Sequence, residues 1–361
     1  MPSYLLMNDT SVTNNIGCRG TVRGLRQMLH EAGYKESGSI PYGFGKDVFQ
    51  PRSASKSQRR FQRLASRVFS FASPEPVSNR GSMVAGLYHQ GIRSIRAELS
   101  DRLNKVTDLV INGEGTMHSD QPTALALVAA TEIASELGVR SHLVNTTIGS
   151  MDDGILRTMA GSCQTIVVRE AYSYDYLASK GIESTLSCDA LFRQPAQSNM
   201  FGKRSKGQPC DGVAYTPGAL ASNGSIGDEE VRDALKRLMT KHGTVYFLLI
   251  ENGDLAYKDL VAEESVNLVD LRKMPLNVVF TELSRYRVIY SGRYHVCIYS
   301  ALACTPFVPL PTNTYKTKGL LRHLACERSE SLESDPVEVT DDRLLALHEL
   351  ACRNVNFSSD S

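Results

Sequence analysis

Tryptophan is absent from the 361 residues. That weakens any reading that needs indole platforms for stacking sugar rings. Cysteine pairing is missing too. The eight cysteines (Cys18, Cys163, Cys188, Cys210, Cys297, Cys304, Cys326 and Cys352) stand singly, with no CxxC spacing. They fit reduced, buried thiols of a cytosolic protein better than a disulfide framework or a zinc site. No apolar run approaches the ~20 residues a membrane span needs. The start, Met1 to Asn8, lacks the basic region and apolar core of a signal peptide. Charge of one sign is not in excess: 40 Lys and Arg face 39 Asp and Glu. The balance gives no global bias towards nucleic acid.

The rest of the composition, 42% hydrophobic and 22% charged, is that of an ordinary globular protein. The length suits two domains, since domains commonly run ~100–200 residues.

Strand and helix patterns alternate along the chain. Tyr4–Met7 reads as a first strand, 8–20 as a polar glycine-containing loop, and Thr21–Ala32 as a helix with Val22, Leu25, Leu29 and Ala32 at helical spacing. The loop is neither G-x-G-x-x-G nor a Walker motif, so it carries no nucleotide assignment. Further strands fall at Asp108–Asn112, Ser141–Thr146 and Thr165–Arg169, with helices at Thr123–Leu137 and Ala171–Lys180. A second series begins at Gly212–Thr216, after a polar stretch from 194 to 211 that reads as a linker. Two such series predict two doubly wound Rossmann-like α/β domains, 1–193 and 212–361, whose strand-end loops face one another across a cleft.

One stretch concentrates chemistry. Tyr290–Ala303 reads Y-S-G-R-Y-H-V-C-I-Y-S-A-L-A: the end of an apolar strand, a Ser-Gly break, then a small-residue helix. That order brings side chains and helix N-terminal amides to the C-terminal edge of a parallel sheet. Arg293 and His295 there would make an anion site with a titratable group beside it. The same pattern also suits a surface arginine and a satisfied helix-start histidine.

The segment Ser291–Leu321 resembles the C-terminal signature of the polysaccharide pyruvyl transferase family. That signature is Arg-x-His at a helix start, an Ala-rich helix, a short Pro-containing strand, and a Lys-containing loop before Gly-Leu-Leu. Asn15-x-Gly17 with Gly20-Thr21, Asn112-Gly113-Glu114-Gly115-Thr116, Val168-Arg169-Glu170 and Cys188-Asp189-Ala190 match in the same order. The resemblance implies a glycosyltransferase-B-like pair of domains. It also implies transfer of pyruvate from phosphoenolpyruvate to two hydroxyls of a sugar, giving a cyclic ketal and phosphate in cell-surface polysaccharide assembly. No cofactor or metal is demanded.

On that reading Arg169 and Arg293 are clamps for the carboxylate and phosphate, with one arginine from each domain. His295 is the proton donor or a phosphate ligand. Glu114 and His118 lie on the acceptor side, in a stretch where Glu114 stands for a residue that is often Gly in the family. Asn15 and Gly17 line the N-terminal loop, and Lys316 or Lys318 reaches the phosphate. Two other readings stay open: a glycosyltransferase of the same architecture using a nucleotide sugar, and a non-catalytic carbohydrate-binding member of the fold.

The interval 36–82 is the least orderly. Within it, Pro51–Ala72 carries Arg52, Lys56, Arg59, Arg60, Arg63 and Arg67 with no acidic residue. Phe61, Leu64, Val68 and Phe69 gather on one side. That pattern suits peripheral contact with an anionic membrane at the cytoplasmic face, where a lipid-linked acceptor would be found. It equally suits a solvated helix packed by its apolar side on the first domain.

Overall fold

The computed structural model describes residues 1–49, 80–194, 210–218, 227–312, 314–326 and 330–357. The basic stretch 51–72 and most of the expected linker lie outside them.

The described chain forms two compact α/β units. The first contains β1 (Ser3–Asp9), β2 (Lys35–Pro41), α2 (Arg80–Leu103), β3 (Asp108–Glu114), α3 (Pro122–Glu136) and β4 (Arg140–Thr146). It continues with α4 (Asp153–Ser162), β5 (Thr165–Val168), α5 (Ala171–Ser179) and β6 (Thr185–Leu186). Helix α1 (Ile16–Glu31) precedes β2 and is divided between the units at Arg26. The strands form one parallel sheet in the order β2-β1-β3-β4-β5-β6.

The burial follows from that order. Strands β1 and β3 are central and covered on both faces, so their sequences are nearly continuous apolar runs. Strand β2 is an edge, and K-E-S-G-S-I-P buries only Ile40. This explains why the strand hides in a stretch that reads as disorderly. Helix α2 lies in an interval to which the sequence pattern assigned no element. Its buried residues Tyr88, Ile92, Ile95, Leu99 and Leu103 nonetheless fall every three or four positions, as one face of a helix must. Helix α3 is apolar on nearly all sides and is buried from Thr123 to Thr131.

The second unit contains β7 (Gly212–Thr216), α6 (Asp228–His242), β8 (Thr244–Leu249), α7 (Lys258–Glu263), β9 (Asn267–Asp270) and α8 (Leu276–Leu283). After these come β10 (Ile289–Ser291), α9 (Tyr294–Leu302), β11 (Phe307–Pro309), α10 (Lys316–His323) and α11 (Asp341–Ala351). Its parallel sheet runs β11-β10-β7-β8-β9. Val213, Tyr215, Phe247 and Leu249 pack there against Val231, Leu235 and Leu238 of α6.

The units are interleaved in sequence rather than consecutive. Ser11–Arg26 clusters with the second unit, and Arg353 onward with the first. Local contacts give the reason. Gly17, Gly20 and Gly24 of α1 leave no room for a Cβ against His295, the Tyr299 hydroxyl and the Ala190 carbonyl respectively. At the other end, the Asn354 side chain accepts from the Asn145 amide at 2.9 Å and donates to Ser187 Oγ at 3.0 Å.

Each sheet reverses its direction of winding once: between β1 and β3 in the first unit, and between β7 and β10 in the second. Ligands of open α/β sheets bind beyond the strand ends at such points.

Candidate functional site

In the second unit the switch point is built by Thr216-Pro217-Gly218 after β7 and Ser291-Gly292 after β10. Gly218 has φ +84°, and a Cβ on it would lie 2.2 Å from the Gly292 carbonyl oxygen. The two turns therefore touch through their backbones. Ser291 Oγ accepts from the Arg293 amide at 3.0 Å and donates to the Arg293 carbonyl at 3.1 Å. This fixes the N-cap of α9, a position with no side-chain cap bond to the helix amides.

His295, in the first turn of α9, is mostly buried and borders two partners. Its Nε2 lies 3.5 Å from Asp189 Oδ2 and 3.4 Å from Thr21 Oγ1. Thr21 also sends a hydrogen bond of 3.1 Å to Asp189 Oδ1. Asp189 is fully buried and accepts from the Leu191 amide at 2.8 Å. The single Thr21 proton goes to Asp189, so the Thr21 oxygen faces His295 as an acceptor. This geometry assigns a proton to Nε2 and turns Nδ1 to the other edge of the ring. Gly17 lies beside that edge and leaves it room only by lacking a side chain: a Cβ there would sit 2.2 Å from Nδ1.

Arg293 is 8% exposed and meets two carboxylates. One terminal nitrogen donates to Glu251 Oε1 at 2.5 Å, and the other donates to Asp254. Its Nε is buried without a hydrogen-bond partner among the described residues. Asp254 is fixed in turn by the amides of Ile250 and Glu251, at 2.8 and 3.0 Å. Glu251 also accepts from Asn15 Nδ2 at 2.9 Å, and Asn15 Oδ1 accepts from the Gly17 amide at 2.9 Å. Asn15, Gly17, Arg293 and His295 thus form one continuous cluster. Lys316 and Lys318 sit in the first turn of α10, Lys316 half-buried and Lys318 exposed.

The first unit carries a second polar cluster at its own switch point. Glu114 is nearly buried, has φ +41°, and accepts from Thr10 Oγ1 at 2.6 Å and Asn112 Nδ2 at 3.0 Å. Asn112 Oδ1 accepts from Asn145 at 3.0 Å, and Asn8 donates to the Asn112 carbonyl at 2.6 Å. His118 is half-buried, with Nδ1 2.6 Å from the Gly115 carbonyl oxygen, a geometry in which the ring donates. Arg169 is buried and donates from Nε to Thr147 Oγ1 at 2.9 Å. Its neighbour Glu170 caps α5 through the amides of Tyr172 and Ser173, and burial pushes the Glu170 carboxyl up from the ordinary value.

The structure groups the expected residues by unit: Glu114, His118 and Arg169 in the first, and Asn15, Gly17, Arg293, His295, Lys316 and Lys318 in the second. Two participants, Glu251 and Asp254, escape a reading of the sequence, and two more, Thr21 and Asp189, stand in its motifs with no role assigned. Asp189 stands 106 positions before His295, and its Cys-Asp-Ala context has no periodicity to mark it. Glu251 and Asp254 follow a buried strand as E-N-G-D, an ordinary turn composition. The expected loop 8–20 is also shorter than read. Helix α1 begins at Ile16, so Gly17 and Gly20 are helical residues serving close packing. The G-x-x-G-x-x-x-G spacing of Gly17, Gly20 and Gly24 was the available signal.

Two units of this kind, each with a parallel sheet and a polar cluster at its switch point, define a two-domain Rossmann-like protein of the glycosyltransferase-B-like class. Solved structures share the fold. A UDP-GlcNAc 2-epimerase of Methanocaldococcus jannaschii, in complex with UDP-GlcNAc and UDP, aligns with TM-score 0.51 and 12% identity over 99% of this chain and 93% of its own. MnaA of S. aureus, solved with UDP, aligns with TM-score 0.51 and 11% identity over 100% and 93%. At such identities the likeness concerns the fold alone. Comparison with curated proteins gives no match. The family is shown by sequence: the chain belongs to the polysaccharide pyruvyl transferase family, whose model matches residues 15–314. Among the described residues no helix is long and apolar enough to cross a membrane.

Proposed function

We propose that this chain transfers the pyruvyl group of phosphoenolpyruvate to two hydroxyls of one sugar, forming a cyclic ketal and releasing phosphate. The observation that carries the reading is the Thr21–Asp189–His295 arrangement beside Arg293 in a chain of this family.

The chemistry has definite needs. C3 of the enol takes a proton and becomes a methyl group, which leaves C2 electrophilic. Two sugar oxygens bond to C2 as their protons leave. The bond between C2 and the bridging oxygen breaks, and that oxygen departs with phosphorus. A positioned acid is required for the first step. His295 in its doubly protonated imidazolium form supplies it from Nδ1 and keeps the Nε2 proton that faces Thr21 and Asp189. Arg293 and the first amides of α9 attract the anionic donor. Lys316 and Lys318 are on hand for the phosphate. Glu114, His118 and Arg169 serve the first unit's share of the substrates, with Glu114 suited to accepting hydrogen bonds from sugar hydroxyls. An acceptor carried on a lipid would bring the protein to a membrane surface.

The test is phosphate release from phosphoenolpyruvate with a panel of nitrophenyl and lipid-linked sugars, run beside nucleotide sugars as donors. Acceptor-dependent phosphate release supports the reading. Consumption of a nucleotide sugar in its place moves the chain to glycosyl transfer.

A further inference from the structure

The two carboxylates on Arg293 differ in a way that bears on ligand binding. The Asp254 side chain is fully buried and is held by two backbone amides besides Arg293. It cannot leave without orphaning three donors. The Glu251 side chain is 28% exposed, and among the described residues the side chains that donate to it are those of Arg293 and Asn15. It can rotate towards solvent at the loss of two hydrogen bonds. The Arg293 guanidinium is therefore half structural and half exchangeable, and its buried Nε has no hydrogen-bond partner among the described residues.

A carboxylate paired end-on with one terminal nitrogen is what a ligand carboxylate or phosphate would offer in the same place. That nitrogen has a second N–H, but an anion bound there would lie against the Glu251 carboxylate, and this like-charge contact sets ligand and Glu251 in competition. We propose that Glu251 is an internal competitor at the Arg293 anion site, and that it sets the affinity for carboxylate- or phosphate-bearing ligands by occupying their place. Displacement also frees Asn15 Nδ2. Because Asn15 orders the Gly17 amide, and Gly17 lies against the His295 ring, anion binding is linked to the setting of the proton donor. The donor being phosphoenolpyruvate rests on the reading above; the competition itself does not.

Glu251→Gln removes the competing charge and keeps the size. Isothermal calorimetry on the full chain, wild type against E251Q, with phosphoenolpyruvate, inorganic phosphate and UDP as separate probes, reads the effect. The expected result is an affinity gain of about 3- to 30-fold, the weight of a partly exposed ion pair. It should be present for at least one probe and absent in E251Q combined with Arg293→Lys. A thermal melt confirms that E251Q is folded. Equal or weaker binding of every probe by folded E251Q overturns the proposal and leaves Glu251 as an anchor for Asn15. A gain for inorganic phosphate or UDP but not for phosphoenolpyruvate keeps the competitor role and counts against the pyruvyl donor.

Discussion

Asp189 faces His295 across 3.5 Å, carboxylate oxygen to Nε2, with the Thr21 hydroxyl bonded to the same carboxylate. The ring is thereby held at its Nε2 edge. Asp189→Asn keeps the volume but replaces an acceptor with a mixed amide, which permits the wrong tautomer. Turnover should fall by ~10²-fold or more, the scale of a disturbed general acid, while phosphoenolpyruvate binding changes little. His295→Gln should fall by ~10²–10⁴ on the same scale. Steady-state kinetics separates the outcomes: a rise in KM with unchanged kcat in both variants would make His295 a ligand-binding group.

Gly17 offers a steric test of the same ring. A Cβ at this position would overlap Nδ1, Cγ and Cβ of His295, all within 2.5 Å. Gly17→Ala must push the imidazole aside, because helix α1 cannot retreat from α9 without also breaking the Tyr299 hydroxyl bond to the Ile16 carbonyl, 2.9 Å long. Activity should drop by at least ~10²-fold, since misplacement by about 1 Å costs that much. Wild-type kinetics in G17A would show that the ring has freedom the structure does not grant it.

Arg293 should prove structural as well as functional. Read from sequence alone, an arginine clamp can be removed with little effect on folding. The structure shows otherwise: Arg293→Ala leaves Asp254 buried with its charge uncompensated. Breaking such a pair costs roughly 3–5 kcal/mol. Chemical denaturation should show that loss, and Arg293→Ala with Asp254→Asn should recover part of it. Unchanged stability in the single variant would contradict the observed pairing.

Acid unfolding of the first unit should depend on Asp108. Burial pushes this carboxyl up, but hydrogen bonds from His142, Arg140 and Thr107 outweigh burial, so it titrates below the usual carboxylate range. A depressed folded value means that stability is present above the unfolded value, ~3.9, and is lost as pH falls through the folded one. Asp108→Asn should thus be less stable than wild type at pH 7, by about 1–3 kcal/mol for lost charged hydrogen bonds. The difference should close in acid. A difference that stays constant from pH 7 to strongly acidic conditions would assign the loss to packing.

Where sequence reading succeeded, the signal was local. The Tyr290–Ala303 stretch showed its strand, turn and helix because each has its own composition: an apolar run, Ser-Gly, then small residues at helical spacing. The observed α9 falls within it, and β10, Ile289–Ser291, ends in it. Strand β2 escaped because an edge strand needs little apolar content. The pairing of His295 and Arg293 with their carboxylates escaped because carboxylates are common, and pairing across 42 or 106 positions leaves no mark on neighbouring residues. Glu251 is the clearest case, since only the fold brings it onto Arg293.

The claim of pyruvyl transfer is tested most directly by the fate of the bridging oxygen. Ketal formation breaks the bond between C2 and oxygen, whereas hydrolysis by a phosphatase breaks the bond between phosphorus and oxygen. The protein is incubated with phosphoenolpyruvate and acceptor sugar in oxygen-18-labelled water, and phosphate and sugar are both analysed by mass spectrometry. Unlabelled phosphate, formed only with acceptor and in equal amount to a sugar bearing one pyruvate ketal, is the predicted result. Labelled phosphate, or phosphate released without acceptor, would contradict it.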